Sequence, residues 1–302
     1  MKPMSKKEGE PAAKTKPRLP FPAQKQSKPG QESDLDPRPQ FEGALYRPAG
    51  KLTGKFAVIT GGDSGIGRAV AVFFAREGAD VLISYLPEEQ KDADVTREHV
   101  EAAGRHCEQM PGDLRDADFC RSIIERAIQT FGRIDILVSN AAHQTRKPSL
   151  EEITEEEWDR TFQTNVYAMF HLVKASLPHL QPGSSIIVTS SETGLFGSEK
   201  LLDYSSTKGA INAFVKALAQ NIVQRGIRVN AVAPGPVWTP LNPSDEGLSA
   251  EGVSKFGGKT KMQRPAQPEE IAPAYVFLAS DADSSYITGH VLPILGGETT
   301  TG

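Results

Sequence analysis

The chain has 302 residues but only two cysteines, Cys107 and Cys120. Two thiols build no disulfide framework, and no C-x-x-C spacing offers a metal site. With aromatics at 7% and only two tryptophans, little marks a stacking platform for bases. The charge balance is slightly acidic, -4 with a pI near 5.9. It lacks the excess of positive charge that a general nucleic-acid binder carries, so no nucleic-acid partner is expected. No apolar run is long enough to span a bilayer, and no apolar segment follows the basic N-terminal residues, so neither a membrane partner nor secretion is expected. A reducing cytoplasm is the expected compartment.

What is present divides in two. Residues 1–50 are rich in Pro, Lys and Gln and lack helical or strand periodicity. A disordered tail is one reading. Against it, Phe21, Leu35, Phe41 and Tyr46 are spaced apolar anchors, so the region reads as an extended arm pinned to a folded surface, its first 15 or so residues mobile. From Lys51 onward, β-branched runs ("KFAVIT", "ADVLIS", "HCEQMPG", "IDILVS", "SSIIVTS", "IRVNAVA", "HVLPIL") alternate with helical patterns. Among the helices, "EEWDRTFQTNVYAMFHLVKASLPHL" reads as one long element. This alternation predicts right-handed βαβ units and an α/β, doubly wound domain over 51–302, with a parallel sheet of about seven strands.

"FAVITGGDSGIGRAVAVFF" runs from strand through a glycine-rich turn into a helix, the context in which such a loop cradles phosphate. Gly61 and Gly65 allow tight or positive-φ backbone, and Gly67 lets helix pack closely on strand. The helix start offers unpaired N–H groups to a pyrophosphate. About 20 residues on, an acid often holds the ribose of NAD. Here Tyr85 stands at that position, with no Arg or Lys beside it, so the choice between NAD and NADP stays open.

"DYSSTKGAI" sets Tyr204 four residues ahead of Lys208, which places both on one helix face. A phenol near a cation can be held as phenolate. Ser191, thirteen residues before Tyr204, ends a strand and can hold a substrate oxygen; its neighbour Ser190 is the alternative, and spacing favours Ser191.

"TGGDSGIG", "SNAA", Asn165, Ser191 with Tyr204 and Lys208, and "PGPVWT" fall in the order and spacing of the short-chain dehydrogenase/reductase family. Residues 51–302 resemble that family throughout. The Pro- and Gln-rich arm with "ISYLPEE" and "LLDYSSTK" resembles its bacterial subgroup with a long N-terminal extension, described as general-stress or glucose/ribitol-dehydrogenase-like oxidoreductases.

The resemblance implies a Rossmann fold, an NAD- or NADP-dependent exchange between an alcohol and a carbonyl, and a homotetramer. It implies catalytic roles for Asn165, Ser191, Tyr204 and Lys208, with Lys208 lowering the tyrosine pKa and Asn165 bending its helix and holding a water on the path from Lys208 to solvent. It implies a cofactor site built from Gly61, Asp63, Ser64, Gly65, Ile66, Gly67, Tyr85, Asp113, Leu114, Asn140, Ala141, Tyr204, Lys208, Pro234, Gly235, Val237 and Thr239. Two positions depart from the pattern: Ala142 stands where glycine is usual, and Leu295 where aspartate is common. The alternative, a catalytically silent nucleotide-binding scaffold or redox sensor, would have lost part of the Ser–Tyr–Lys set. The segment "LNPSDEGLSAEGVSKFGGKTKMQRP" is polar and glycine-rich, as a mobile lid over a small polar substrate would be (a sugar, polyol or aldehyde). His143 is expected to be solvated, Glu192 and Thr193 are candidates for the pocket wall, and the cysteines are expected to serve packing.

Overall fold

A computed structural model describes residues 15–299. The expected mobility of the first residues falls almost wholly outside that range. Seven parallel strands form one sheet: β1 (Phe56–Thr60), β2 (Asp80–Tyr85), β3 (Cys107–Pro111), β4 (Ile136–Ser139), β5 (Ser185–Thr189), β6 (Arg228–Pro234) and β7 (Val291–Ile294). Their spatial order is β3-β2-β1-β4-β5-β6-β7. The central strands are buried almost end to end, because helices cover both faces.

Among the described residues, ten α-helices fill the connections. They are α1 (Gly65–Arg76), α2 (Gln90–Ala102), α3 (Ala117–Phe131), α4 (Glu155–Phe162), α5 (Ala168–Ser176), α6 (Thr193–Phe196), α7 (Leu202–Ile222), α8 (Ala250–Ser254), α9 (Pro268–Ala279) and α10 (Asp281–Ser284). Phe73 and Phe74 of α1, Val100 of α2 and Ile271 and Tyr275 of α9 build one core layer. Ile123 of α3, Leu172 of α5 and Val215 of α7 build the other. Cys107 and Cys120 are buried and unpaired, one in each layer.

The strand order reverses between β1 and β4. At such a switch point the loops leaving neighbouring strands diverge and open a crevice at the carboxyl edge of the sheet. The glycine loop leaves β1 there, and "SNAA" leaves β4.

Two expectations change. The long helix is two helices joined by a π-helical turn over Gln163–Tyr167, with Asn165 buried inside it. One extra residue in the turn swings the amide of Asn165 toward the β4 loop, a displacement that an apolar period of 3.6 does not reveal. The polar segment after β6 is also no free lid. Val253 and Trp238 are buried in a small cluster with Phe21 and Leu35, and the Phe21 ring meets Trp238 edge-on at 4.7 Å. The arm clamps that segment.

The other anchors also seat on this same chain. Phe41 and Tyr46 pack on the α1 side of the core, and the Tyr46 ring lies 4.5 Å from Phe73. Leu295 is buried, its backbone close to Gly235.

Candidate active site

The carboxyl ends of β1, β2, β3, β4, β5 and β6 surround a cleft of about 580 Å³. Its wall contains Gly61, Asp63, Ser64, Gly65, Ile66, Tyr85, Asp113, Leu114, Asn140, Ala141, Ser191, Tyr204, Lys208, Pro234, Gly235, Val237 and Thr239. Gly67 lies beneath the loop and Asn165 lies behind the wall. The sequence candidates are therefore gathered around a single opening, with Ala142 also on its wall.

The glycine loop is shaped for close approach. Gly61 has φ of +63°, a conformation that side chains resist. A Cβ on Gly67 would sit 1.9 Å from the Gly61 carbonyl oxygen, so only glycine lets α1 start there. Asn140 reinforces the turn: its amide donates to the carbonyls of Thr60 at 3.1 Å and Gly61 at 3.3 Å. Thr189 donates to Asn140 Oδ1 at 3.0 Å and shares a 2.6 Å contact with the Tyr275 hydroxyl. Sequence reasoning missed Thr60, Thr189 and Tyr275, whose strand and helix positions read as ordinary core. A cradle with no room for side chains, beside a helix start, fits the phosphates of a dinucleotide.

At the edge of β2, the Tyr85 hydroxyl donates to Gln90 Oε1 at 2.8 Å. Asp113 is held by Arg115, whose Nε donates to its carboxylate at 2.8 Å, and the bond keeps that carboxyl below its usual range.

Around the reacting end, two adjacent serines both border the cleft but bond differently. Ser190 donates to Asn212 Oδ1 at 2.6 Å and is absorbed by α7. Ser191 is left on the cleft wall, where its Oγ accepts from the backbone N–H and the hydroxyl of Thr193, both at 3.2 Å. Ser191 is also a neighbour that favours the ionised form of the Tyr204 phenol.

The electrostatics differ from the expected picture. Burial pushes the Tyr204 phenol up to about 12, and the neighbouring Ser191 offsets only part of that. Lys208 lies with Nζ 5.3 Å from the tyrosine ring centroid and donates to the Thr189 carbonyl at 2.7 Å. Burial lowers the pKa of Lys208 to about 7, because an unpaired ammonium is costly to desolvate. Within this chain, desolvation outweighs the attraction between lysine and phenolate.

Asn165 is more than a bend. Its Oδ1 accepts from the His143 N–H at 2.7 Å, and its Nδ2 donates to the His143 carbonyl at 2.9 Å and to Thr207 at 3.1 Å. It clasps the β4 loop to α7. His143 is half-buried on the cleft wall: desolvation there, with Lys28 and Arg160 nearby, pushes its pKa down to about 3. Glu192 and Thr193 line the cleft. Arg146 also reaches it and is ion-paired to the buried Asp245. That pair joins the β4 loop to the clamped segment, and no local pattern announces it. Among the described residues, no group of His, Cys, Asp and Glu is arranged to hold a metal. No helix among the described residues is long and apolar enough to cross a membrane.

Comparison with known proteins decides the family. The model described as enoyl-(acyl carrier protein) reductase matches residues 61–299. The chain is 50% identical to general stress protein 39 of Bacillus subtilis, over 93% of this chain and 97% of that protein. It belongs to the short-chain dehydrogenase/reductase family. It is also 47% identical to the glucose and ribitol dehydrogenase of Daucus carota, over 93% of this chain and 98% of that one. A Burkholderia cenocepacia short-chain dehydrogenase solved with NADP superposes with a TM-score of 0.75 at 31% identity, covering 82% of this chain and 98% of the other. A Mycobacterium paratuberculosis short-chain dehydrogenase bound to NAD gives 0.73 at 32%, covering 82% and 98%. As a short-chain dehydrogenase/reductase, the protein is an oxidoreductase that uses NAD or NADP.

Proposed function

We propose that the protein interconverts an alcohol and a carbonyl on a small polar substrate, a sugar, polyol or aldehyde, with Tyr204 as the acid/base. The observation that carries this reading is that Ser191, Tyr204 and Lys208 share the wall of the same cleft as the glycine loop. The loop Gly61–Gly67, Tyr85, Asp113, Leu114, Asn140, Ala141, Pro234, Gly235, Val237 and Thr239 would hold the dinucleotide, which when bound supplies or accepts a hydride.

With its pKa near 12, Tyr204 carries its proton throughout the neutral range and is poised to give it to a carbonyl oxygen. Ser191 positions that oxygen. Lys208, with a pKa near 7, changes charge readily at neutral pH, and its charged form favours the phenolate during alcohol oxidation. Asn165 acts by fixing the His143 backbone at the cleft wall, and a water beside it would complete the proton path from Lys208 to solvent. The polar lining from the clamped segment, Asn242 and Ser244 among it, suits hydroxyl-rich substrates. The carrot relative, named for glucose and ribitol, points to the same class.

We further infer an arm over 1–50 and a catalytic domain over 51–302, assembled as a cytoplasmic homotetramer. Support comes from Tyr167 and Phe170, which stay 55% and 43% exposed beside the π-turn, and from two buried free thiols. The test is a panel of sugars, polyols and aldehydes, followed by nicotinamide absorbance, with NAD and NADP in parallel. Turnover confined to large apolar substrates would overturn the substrate class. No turnover with any alcohol or carbonyl would overturn the reaction.

A further inference from the structure

The arm enters the cofactor cleft. Lys28, Pro29 and Gly30 form part of its wall. Gly30 fits so closely that a Cβ there would lie 2.9 Å from the Pro240 carbonyl oxygen. Two residues later comes Glu32, a carboxylate only 2% exposed.

Glu32 reaches the start of α1. Its Oε2 accepts from the Gly65 N–H at 2.5 Å, and its Oε1 accepts from the Arg68 guanidinium at 2.5 Å. Ser64, the residue placed to cap this helix, makes no side-chain cap bond. The cap is supplied instead by a residue 33 positions upstream. Arg68 is itself buried; its other donors go to the carbonyls of Asp63 at 2.8 Å and Asp92 at 3.0 Å and to the Thr96 hydroxyl at 3.1 Å, and it is ion-paired with the Asp92 carboxylate at 3.3 Å. The Asp92 carboxylate closes the circuit by accepting from the backbone N–H groups of Glu32 at 2.5 Å and Ser33 at 3.2 Å. Two residues of the phosphate loop, Asp63 and Gly65, are thus tied through two charged side chains to the arm.

On the reading of the cleft as the dinucleotide site, we propose that Glu32 is a positioning residue of that site, so that seating of the arm and occupancy of the phosphate loop favour each other. The physical basis is a shared conformation. Gly65 sits at φ +53°, and a buried carboxylate on its N–H, neutralised by Arg68, holds it there. An arm that leaves takes the cap with it and strips Arg68 of one of its two buried carboxylate partners, leaving only Asp92 at 3.3 Å, a disfavoured state. The loop then relaxes, and a ligand that needs its ordered form must restore it. Coupling of this kind is reciprocal: whatever factor the seated arm adds to dinucleotide affinity, the dinucleotide adds to seating of the arm.

The experiment uses the full chain. Trypsin at the Lys25–Gln26 bond and glutamyl endopeptidase at Glu32–Ser33 report release of the arm, with mass spectrometry identifying the cut. Saturating NADPH or NADH is expected to slow both cuts at least about fivefold, and Glu32→Gln, assayed below its own melting temperature, to raise the dinucleotide dissociation constant about tenfold and to speed the cut at Lys25–Gln26. Phe21→Ala, which loosens the arm far from Arg68, is expected to weaken dinucleotide binding in the same direction. Equal cleavage rates with and without dinucleotide overturn the coupling, and that measurement needs no variant to fold. A dinucleotide that binds the wild type without protecting the arm sinks this proposal alone. Failure of both dinucleotides to bind the wild type sinks the reading of the cleft with it.

Discussion

Replacing Lys208 with methionine should abolish activity and yet stabilise the protein at neutral pH. The lysine is 1% exposed, and burial lowers its pKa from 10.5 to about 7. A lysine whose pKa is depressed by folding contributes stability above 10.5, and that contribution is lost as pH falls toward 7. Between those limits the unfolded chain binds one more proton than the native one, so stability rises with pH. At about 1.4 kcal/mol per pH unit, the span from 10.5 to about 7 corresponds to roughly 5 kcal/mol. Methionine has similar length and no charge. It forfeits the hydrogen bond to the Thr189 carbonyl, a cost of about 1–2 kcal/mol that does not vary with pH.

Urea unfolding of both proteins without added dinucleotide, at fixed protein concentration from pH 6 to pH 9, isolates the effect, because all other titrations cancel in the difference. The advantage of Lys208→Met should shrink by about 2 kcal/mol between pH 7 and pH 9. A difference that stays constant over that range would show that Lys208 keeps an ordinary pKa in the folded protein, and the description of its burial would have to be abandoned.

Tyr204→Phe should remove turnover while leaving the dinucleotide dissociation constant within several-fold, since only the proton-bearing hydroxyl is lost; residual activity above a few per cent of wild type refutes its role as acid/base. Gly67→Ala should eliminate dinucleotide binding, measured by fluorescence titration, because its methyl would lie against the Gly61 carbonyl; retained affinity would mean the loop has slack that the 1.9 Å approach denies. Deleting residues 1–45 uncovers the Trp238 and Val253 cluster and should lower the melting temperature by several degrees. An unchanged melting curve would reduce the arm to an appendage, and light scattering on the same sample tests whether the inferred tetramer survives.

The sheet was legible because its central strands are buried on both faces, which forces β-branched runs that read as strands without any alignment. The glycine loop and the Tyr204–Lys208 pair were legible because each is confined to one turn of chain. What escaped depends on distant partners. The π-turn is stabilised where Asn165 clasps His143, 22 positions earlier, and its own residues favour a plain helix. The partial burial of His143 comes from the arm and the α4 region closing over it. Burial also reverses the expected order of effects at Tyr204, since a sequence shows the neighbouring cation but not the loss of water around both groups. Glu32 sits in a Pro-rich stretch with no period at all, and its significance lies entirely in Gly65, Arg68 and Asp92.

The arm's contacts also impose an order on biosynthesis. Gln40 N–H donates to Gln267 at 2.9 Å, Gly43 N–H to Glu269 at 2.7 Å, and Phe21 N–H to the Ser254 carbonyl at 2.8 Å. The first segment to leave the ribosome must therefore wait for nearly the last before it finds its place. α1 waits as well, since Phe73 and Phe74 pack with Ile271 and Tyr275 of α9. The Glu32 cap needs only Gly65, Arg68 and Asp92, all made early, so the middle of the arm can seat on the nucleotide loop long before its flanks find their partners.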